Sequence, residues 1–243
     1  MKRTLLGLIV GAVLTQTPLA SAVPLSENFE LIGSVGALSE YSMRGISYTQ
    51  RKPAVQATAT LAHSSGLYAG VWSSNVDING IDARYEADYF AGYTHQFSDK
   101  VGIDVGYIKY TFPKGTILNA GETYAVLTAY GFKLGSYYSN DYYGDQSYMY
   151  NYVGYGVKDL PYGLGLDVRY GLADYKDPSF FSSNGNAKDS YREWEVKVSK
   201  NWLALDWSAS YVDTNLSETE CLQFQGDKES CSARLVVGVS KSF

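Results

Sequence analysis

Beyond its N-terminal leader, this sequence has no apolar run long enough to cross a bilayer as a helix, which needs about 20 residues. Only two of its 243 residues are histidine and two cysteine, so metal sites and histidine-centred chemistry have few ligands to draw on, and nothing calls for a cofactor or a metal. No face or run concentrates Lys and Arg, and 25 acidic residues outnumber 20 basic ones. That charge pattern gives a nucleic-acid partner no footing. What the chain does have is 23 tyrosines, 24 glycines and apolar residues scattered in alternation rather than gathered in blocks.

The N-terminus carries Lys2 and Arg3, an apolar run over 5–14, Pro18 and the small triplet Ala20-Ser21-Ala22. Positive, apolar and A-x-A segments in that order make a secretory signal peptide, cleaved after Ala22 and leaving one domain over 23–243. Only helices and closed barrels satisfy their backbone groups in hydrocarbon. An exported chain of this composition is therefore a soluble β-sandwich or an all-β antiparallel transmembrane barrel, and both alternate.

Alternation and turn signals together predict about 12 strands, over 29–44, 53–63, 67–75, 83–97, 101–112, 121–131, 134–143, 146–158, 164–175, 189–200, 203–214 and 232–243. Connections decide between the two folds. Tight ones fall at Ser64-Ser65-Gly66, Ser98-Asp99-Lys100, near Phe132-Lys133, over 159–163 and near Asn201-Trp202. Longer or more polar ones fall over 45–52, 76–82, 113–120, near Gly144-Asp145, over 176–188 and over 215–231. Every even strand before the last is followed by a tight turn. A barrel inserted from the periplasm sorts its loops this way and a sandwich has no reason to.

A basic charge on the lipid face near the midplane costs about 2–4 kcal/mol, so charged faces point inward. In the fourth strand Tyr85, Ala87, Tyr89, Ala91, Tyr93 and Phe97 alternate with Arg84, Glu86, Asp88, Thr94 and Gln96. The same parity gives pore-lining candidates: Glu40, Arg44, Gln56, Glu86, Asp88, Asp104, Asp167, Arg169, Glu193, Glu195, Lys197, Asp206 and Arg234. Acids outnumber bases in that set, so an open pore leans weakly toward cations. The competing reading is a closed lumen in which the same charges pair, as buried charges must. The Tyr-rich sixth to eighth strands carry tyrosine on both faces, and pattern alone does not orient them.

Several local signals resolve into ordinary features. His63 and His95 fall on the lipid face beside tight turns, with no acid in sequence to orient either for hydrolysis. Val153-Gly154-Tyr155-Gly156 has the look of a potassium filter without the helices such a filter requires. Asp77, Asn79 and Asp82 make a polar loop whose Gly80 is misplaced for an EF-hand. Cys221 and Cys231, in an exported chain, are expected to form a disulfide worth about 2–4 kcal/mol across the last long loop.

Two segments carry a family likeness. The final strand sets Ala233, Leu235, Val237, Val239 and Phe243 against Arg234, Gly238, Ser240 and Ser242, and its end resembles the C-terminal signal read by the outer-membrane barrel assembly machinery. Lys241 departs from that signal. Glu40-Tyr41-Ser42-Met43-Arg44-Gly45-Ile46-Ser47, Lys52-Pro53-Ala54-Val55-Gln56 and Ser65-Gly66-Leu67-Tyr68-Ala69-Gly70-Val71-Trp72-Ser73-Ser74-Asn75-Val76-Asp77 resemble the TorF family of porins. The resemblance implies a Gram-negative outer-membrane barrel passing small hydrophilic solutes, with no enzyme activity. Its partners would be the lipid bilayer, lipopolysaccharide, the assembly machinery and the solutes themselves. The alternative is a structural or surface-binding barrel with a closed lumen.

Overall fold

A computed structural model describes residues 22–243. The leader read over 1–22 lies outside the described residues, save for Ala22. The rest is a closed antiparallel barrel of 12 strands: β1 (Phe29–Leu38), β2 (Ala54–His63), β3 (Leu67–Asn75), β4 (Tyr85–Ser98), β5 (Val101–Thr111), β6 (Ala120–Ala129), β7 (Phe132–Tyr142), β8 (Gln146–Leu160), β9 (Leu164–Tyr175), β10 (Ser190–Trp202), β11 (Leu205–Thr214) and β12 (Arg234–Ser242). Each pairs with its chain neighbours, and β12 closes on β1 from Gly238↔Leu38 to Ser242↔Ser34. Val23–Pro24 adds a short pairing to the free edge of β1, with Val23 opposite Leu31. Closure removes the unpaired edges that hydrocarbon would not tolerate.

Phe243 completes the seam. Its backbone exchanges hydrogen bonds with Gly33 at 2.8 and 3.0 Å, and its ring lies where any side chain at position 33 would stand. Lys241, at the same rim, donates to the Ala204 carbonyl at 2.9 Å.

Alternation in sequence becomes two chemically distinct surfaces. Val55, Leu61, Leu67, Tyr89, Phe97, Leu134, Tyr170, Val196, Trp207 and Leu235 stay exposed on the outside. Gln56, Trp72, Glu86, Asp104, Tyr137, Glu193 and Arg234 are buried inside. Among the described residues no helix is long and apolar enough to cross a membrane.

The structure corrects several boundaries. The first strand ends at Leu38 rather than at residue 44, so Glu40 and Arg44 are not on the wall. β12 begins at Arg234. The tight turns predicted near Phe132-Lys133 and Asn201-Trp202 sit at Tyr130-Gly131 and Leu203-Ala204, whose residues all have positive φ (53°, 89°, 55° and 57°), as the twist of a two-residue hairpin demands. Sequence alternation runs smoothly into such turns, which is why each position slipped by two residues.

The six long connections share one end of the barrel. The last carries α1 (Glu218–Gln225) and the Cys221–Cys231 disulfide.

Candidate functional site

The connection over 39–53, of which sequence assigns 45–52 to an outer loop and the rest to the flanking strands, instead folds into the lumen. Ser42–Met43 pairs with Ile46–Ser47 as a miniature hairpin, held at its base where the Tyr48 N–H donates to the Tyr41 carbonyl at 2.8 Å. Arg44 and Gly45 form its tip with φ of 49° and 81°. A side chain on residue 45 would collide with Thr214 and Glu193, so both the backbone angle and the space call for glycine there.

Three sides of the wall grip this hairpin. Arg234 of β12 ties root to tip, donating to Glu40 at 2.7 Å, to Ser42 at 2.8 Å and to the Gly45 carbonyl at 3.0 Å. From β10 the Tyr191 hydroxyl donates to the Arg44 carbonyl at 3.0 Å. Across the lumen the Arg44 guanidinium meets Glu122 of β6 through two parallel bonds of 2.7 and 2.6 Å. Tyr137, Tyr148 and Tyr150 present their rings to the same guanidinium, centroids 5.1, 5.2 and 4.5 Å away. Burial works against the Arg44 charge, and Glu122 more than restores it, so the cation is held well above its ordinary pKa. The hairpin backbone therefore lies along β10 to β12, and the Arg44 side chain crosses from it to β6 on the opposite wall.

Tyrosine packs the rest of this half. The Tyr110 hydroxyl donates to Glu122 at 2.8 Å, Tyr150 donates to Glu193, and Tyr68 donates to Asp104 at 2.5 Å while touching Tyr124. Tyr41 of the hairpin packs against Trp72, their rings tilted by 58° with centroids 5.1 Å apart. Toward the short-turn end the lining changes. β7, β9 and β10 carry a charged strip in which Lys133 pairs with Asp167 at 2.5 Å and Arg169 with Glu193 and Glu195 at 2.9 and 3.0 Å, with Lys197 beside it. β1 and β2 offer Ser34, Thr58 and Thr60 on the inner face.

The candidate residues thus divide into three groups and one residue apart from them. Glu40, Arg44 and Arg234 build the plug and its root. Gln56, Glu86, Asp88, Asp104 and Glu193 are buried inside the wall, and Asp167, Arg169, Glu195 and Lys197 form the strip. Asp206 is held at the short-turn rim by Asn201 at 2.8 Å. Sequence reasoning missed Glu122, the plug's partner. The available signal was a single acid sharing parity with Tyr124 and Val126 on a strand otherwise without charge.

The histidines stay on the outer surface. His63 meets Ser65 at 2.8 Å and the Phe29 ring at 4.7 Å, and His95 lies against Tyr93 and Phe97. Among the described residues no carboxylate hydrogen-bonds to either imidazole. In the loop compared above with an EF-hand, Asp77 is engaged by Lys52 at 2.5 Å.

At the long-loop end Glu220 of α1 pins two loops together. It accepts from Lys188 at 2.5 Å, from Ser182 at 2.8 Å and from the Ser217 backbone N–H at 2.8 Å. Burial alone would raise its pKa, but these donors outweigh it and lower the carboxyl to about 2. A depressed carboxyl stabilises fully above its unfolded pKa, about 4.3, and loses that contribution as pH falls through the folded value. Proteolysis within 176–188 is therefore expected to stay slow from pH 7 to pH 4 and to rise as pH approaches 2. An acid-stable protease checks this, and Glu220→Gln should be cut faster already at pH 5.

Comparison with known proteins supplies a family and a fold. A model of Gcw_chp, described as a bacterial protein of unknown function, matches residues 22–243. The curated proteins return no match. Among solved structures, the NanC porin in its rhombohedral crystal form is 12% identical, with 86% of this chain and 97% of that chain covered and a TM-score of 0.50. The KdgM porin in complex with disordered oligogalacturonate is 11% identical over 88% and 99%, at 0.49. OprD from Pseudomonas aeruginosa is 14% identical over 91% and 66%, at 0.43. At such identities the likeness concerns the fold alone.

Proposed function

We propose that this chain, which belongs to the Gcw_chp family, is a porin-type barrel of the Gram-negative outer membrane whose lumen is closed by its first long loop and passes small hydrophilic solutes when that loop withdraws. The observation that carries this reading is the chemistry of the plug. Within an aromatic packing in which Tyr41 lies against Trp72 and Tyr48 against Phe112, its link to β6 is a buried ion pair, Arg44 with Glu122. A permanent core would be cheaper to build from apolar side chains, which replace buried ion pairs at little or no loss. Behind the plug lies a wall of paired charges, serine and threonine, the lining that water and hydrophilic solutes require.

The TorF-like segments over 40–77 support the same reading, since they encode the plug and the hairpin beneath it. In this orientation the long-loop end faces outward toward lipopolysaccharide, and Phe243, offered to the assembly machinery, sits at the periplasmic rim. The excess of acids on the inner wall gives the open state a weak preference for cations.

Planar-bilayer recording tests the proposal. A variant with residues 40–50 replaced by a Gly-Ser linker is expected to give discrete steps in KCl, several-fold more frequent than those of the intact chain. Silence from a folded, inserted loop-replaced barrel would overturn the pore reading. It would favour a closed structural or surface-binding barrel instead, a role to which the tyrosine packing of the long-loop half is suited.

A further inference from the structure

All six long connections converge on one cavity of 420 Å³, a volume within the range of small-molecule sites. Its aromatic walls are Tyr48 from the plug loop, Tyr143 from the β7–β8 connection and Phe224 from α1. Its polar side chains include Ser179 and the amides of Asn79, Gln146, Gln223 and Gln225. None of the lining residues carries a charge.

We infer that this cavity is a binding site for a neutral saccharide. An anion or cation would enter without a counter-charge, a cost that sites for charged ligands avoid with Arg, Lys or carboxylates. A purely apolar ligand would leave the Gln146 amide oxygen, which has no partner, buried unpaired. A neutral sugar ring satisfies both surfaces, since its hydroxyls match amides that each donate and accept, and its C–H face packs on aromatic rings.

The wall is built to hold a shape. Asn79 donates to the Gly226 carbonyl, and Gln223 accepts from the Phe181 N–H at 2.9 Å. Phe224 is seated against Tyr175 and Phe180 at 5.7 and 5.6 Å, and the disulfide ties its helix to the root of β12. Gln146 is different, because its carbonyl oxygen is buried with no hydrogen-bond partner. An orphaned acceptor of that kind is uncommon in folded proteins, and a ligand hydroxyl reached by rotation of the amide would supply the missing bond.

The site is independent of whether the lumen conducts, so its test uses binding. The full-length barrel in detergent is titrated with galactobiose, cellobiose and maltose, and with digalacturonate as the acidic counterpart, under saturation-transfer NMR. At least one neutral disaccharide is expected to receive saturation on its ring protons, and digalacturonate to receive less. Phe224→Ala and Gln146→Leu should each weaken binding by about tenfold, while Tyr170→Ala, on the outer wall, leaves it unchanged. No transfer to any neutral disaccharide at tens of millimolar would overturn the proposal. So would preferential binding of digalacturonate, or wild-type affinity in both lining variants that retain the barrel and the disulfide.

Discussion

Arg44→Ala is expected to turn a rarely opening barrel into one that conducts for most of a recording. The substitution removes both hydrogen bonds to Glu122 and the guanidinium from the cage of Tyr137, Tyr148 and Tyr150. Glu122 is then a fully buried carboxylate whose remaining donor is Tyr110. Deleting one partner of a buried pair costs about 3–5 kcal/mol, because the other charge stays in a dry site. That cost falls on the closed state alone, since withdrawal of the loop lets water reach Glu122. At about 1.4 kcal/mol per tenfold, the closed-to-open ratio should fall by roughly two to three and a half orders of magnitude. Arg44→Met combined with Glu122→Met should return the barrel toward silence, because an apolar pair of similar volume fills the same space at little loss. Single-channel open probability measures both. Unchanged gating in a folded Arg44→Ala barrel would remove the ion pair from the mechanism.

Much of the barrel was legible because a membrane strand has only two faces and lipid rejects charge on one of them. The run from Tyr85 to Phe97 declares its orientation through Glu86 and Asp88 alone. Loop parity then set strand count and polarity without any pairing information. The plug was illegible for an equally physical reason. Glu40 and Arg44 continue the parity of β1, and nothing local announces that the chain leaves the wall after Leu38. The partners that draw it inward, Glu122, Tyr191 and Arg234, are 78, 147 and 190 or so residues away in sequence, beyond any window of periodicity. Tyrosine hid the sixth to eighth strands, because it serves both an interfacial girdle and a packed interior. Tyr137 and Tyr150 face the lumen, and Tyr138 and Tyr155 face outward.

Gly45→Val should also open the barrel, by a route that separates packing from charge. In the closed state residue 45 has a φ of 81°, a region that costs an L-residue about 1–2 kcal/mol and a β-branched one more. Its side chain would also have to displace Thr214 and Glu193, and Glu193 is fixed in turn by Arg169 at 2.9 Å. A withdrawn loop imposes neither the angle nor the collision, so valine selects the open state without touching the ion pair. Two contrasts follow. Adding Arg44→Met and Glu122→Met should fail to silence Gly45→Val, because the obstruction lies at the tip and not at the charge. Step size should match that of the 40–50 replacement, since both leave the same wall around the same lumen. If Gly45→Val stayed closed while Arg44→Ala opened, the tip would not move with the guanidinium, and the hairpin could not be a rigid plug.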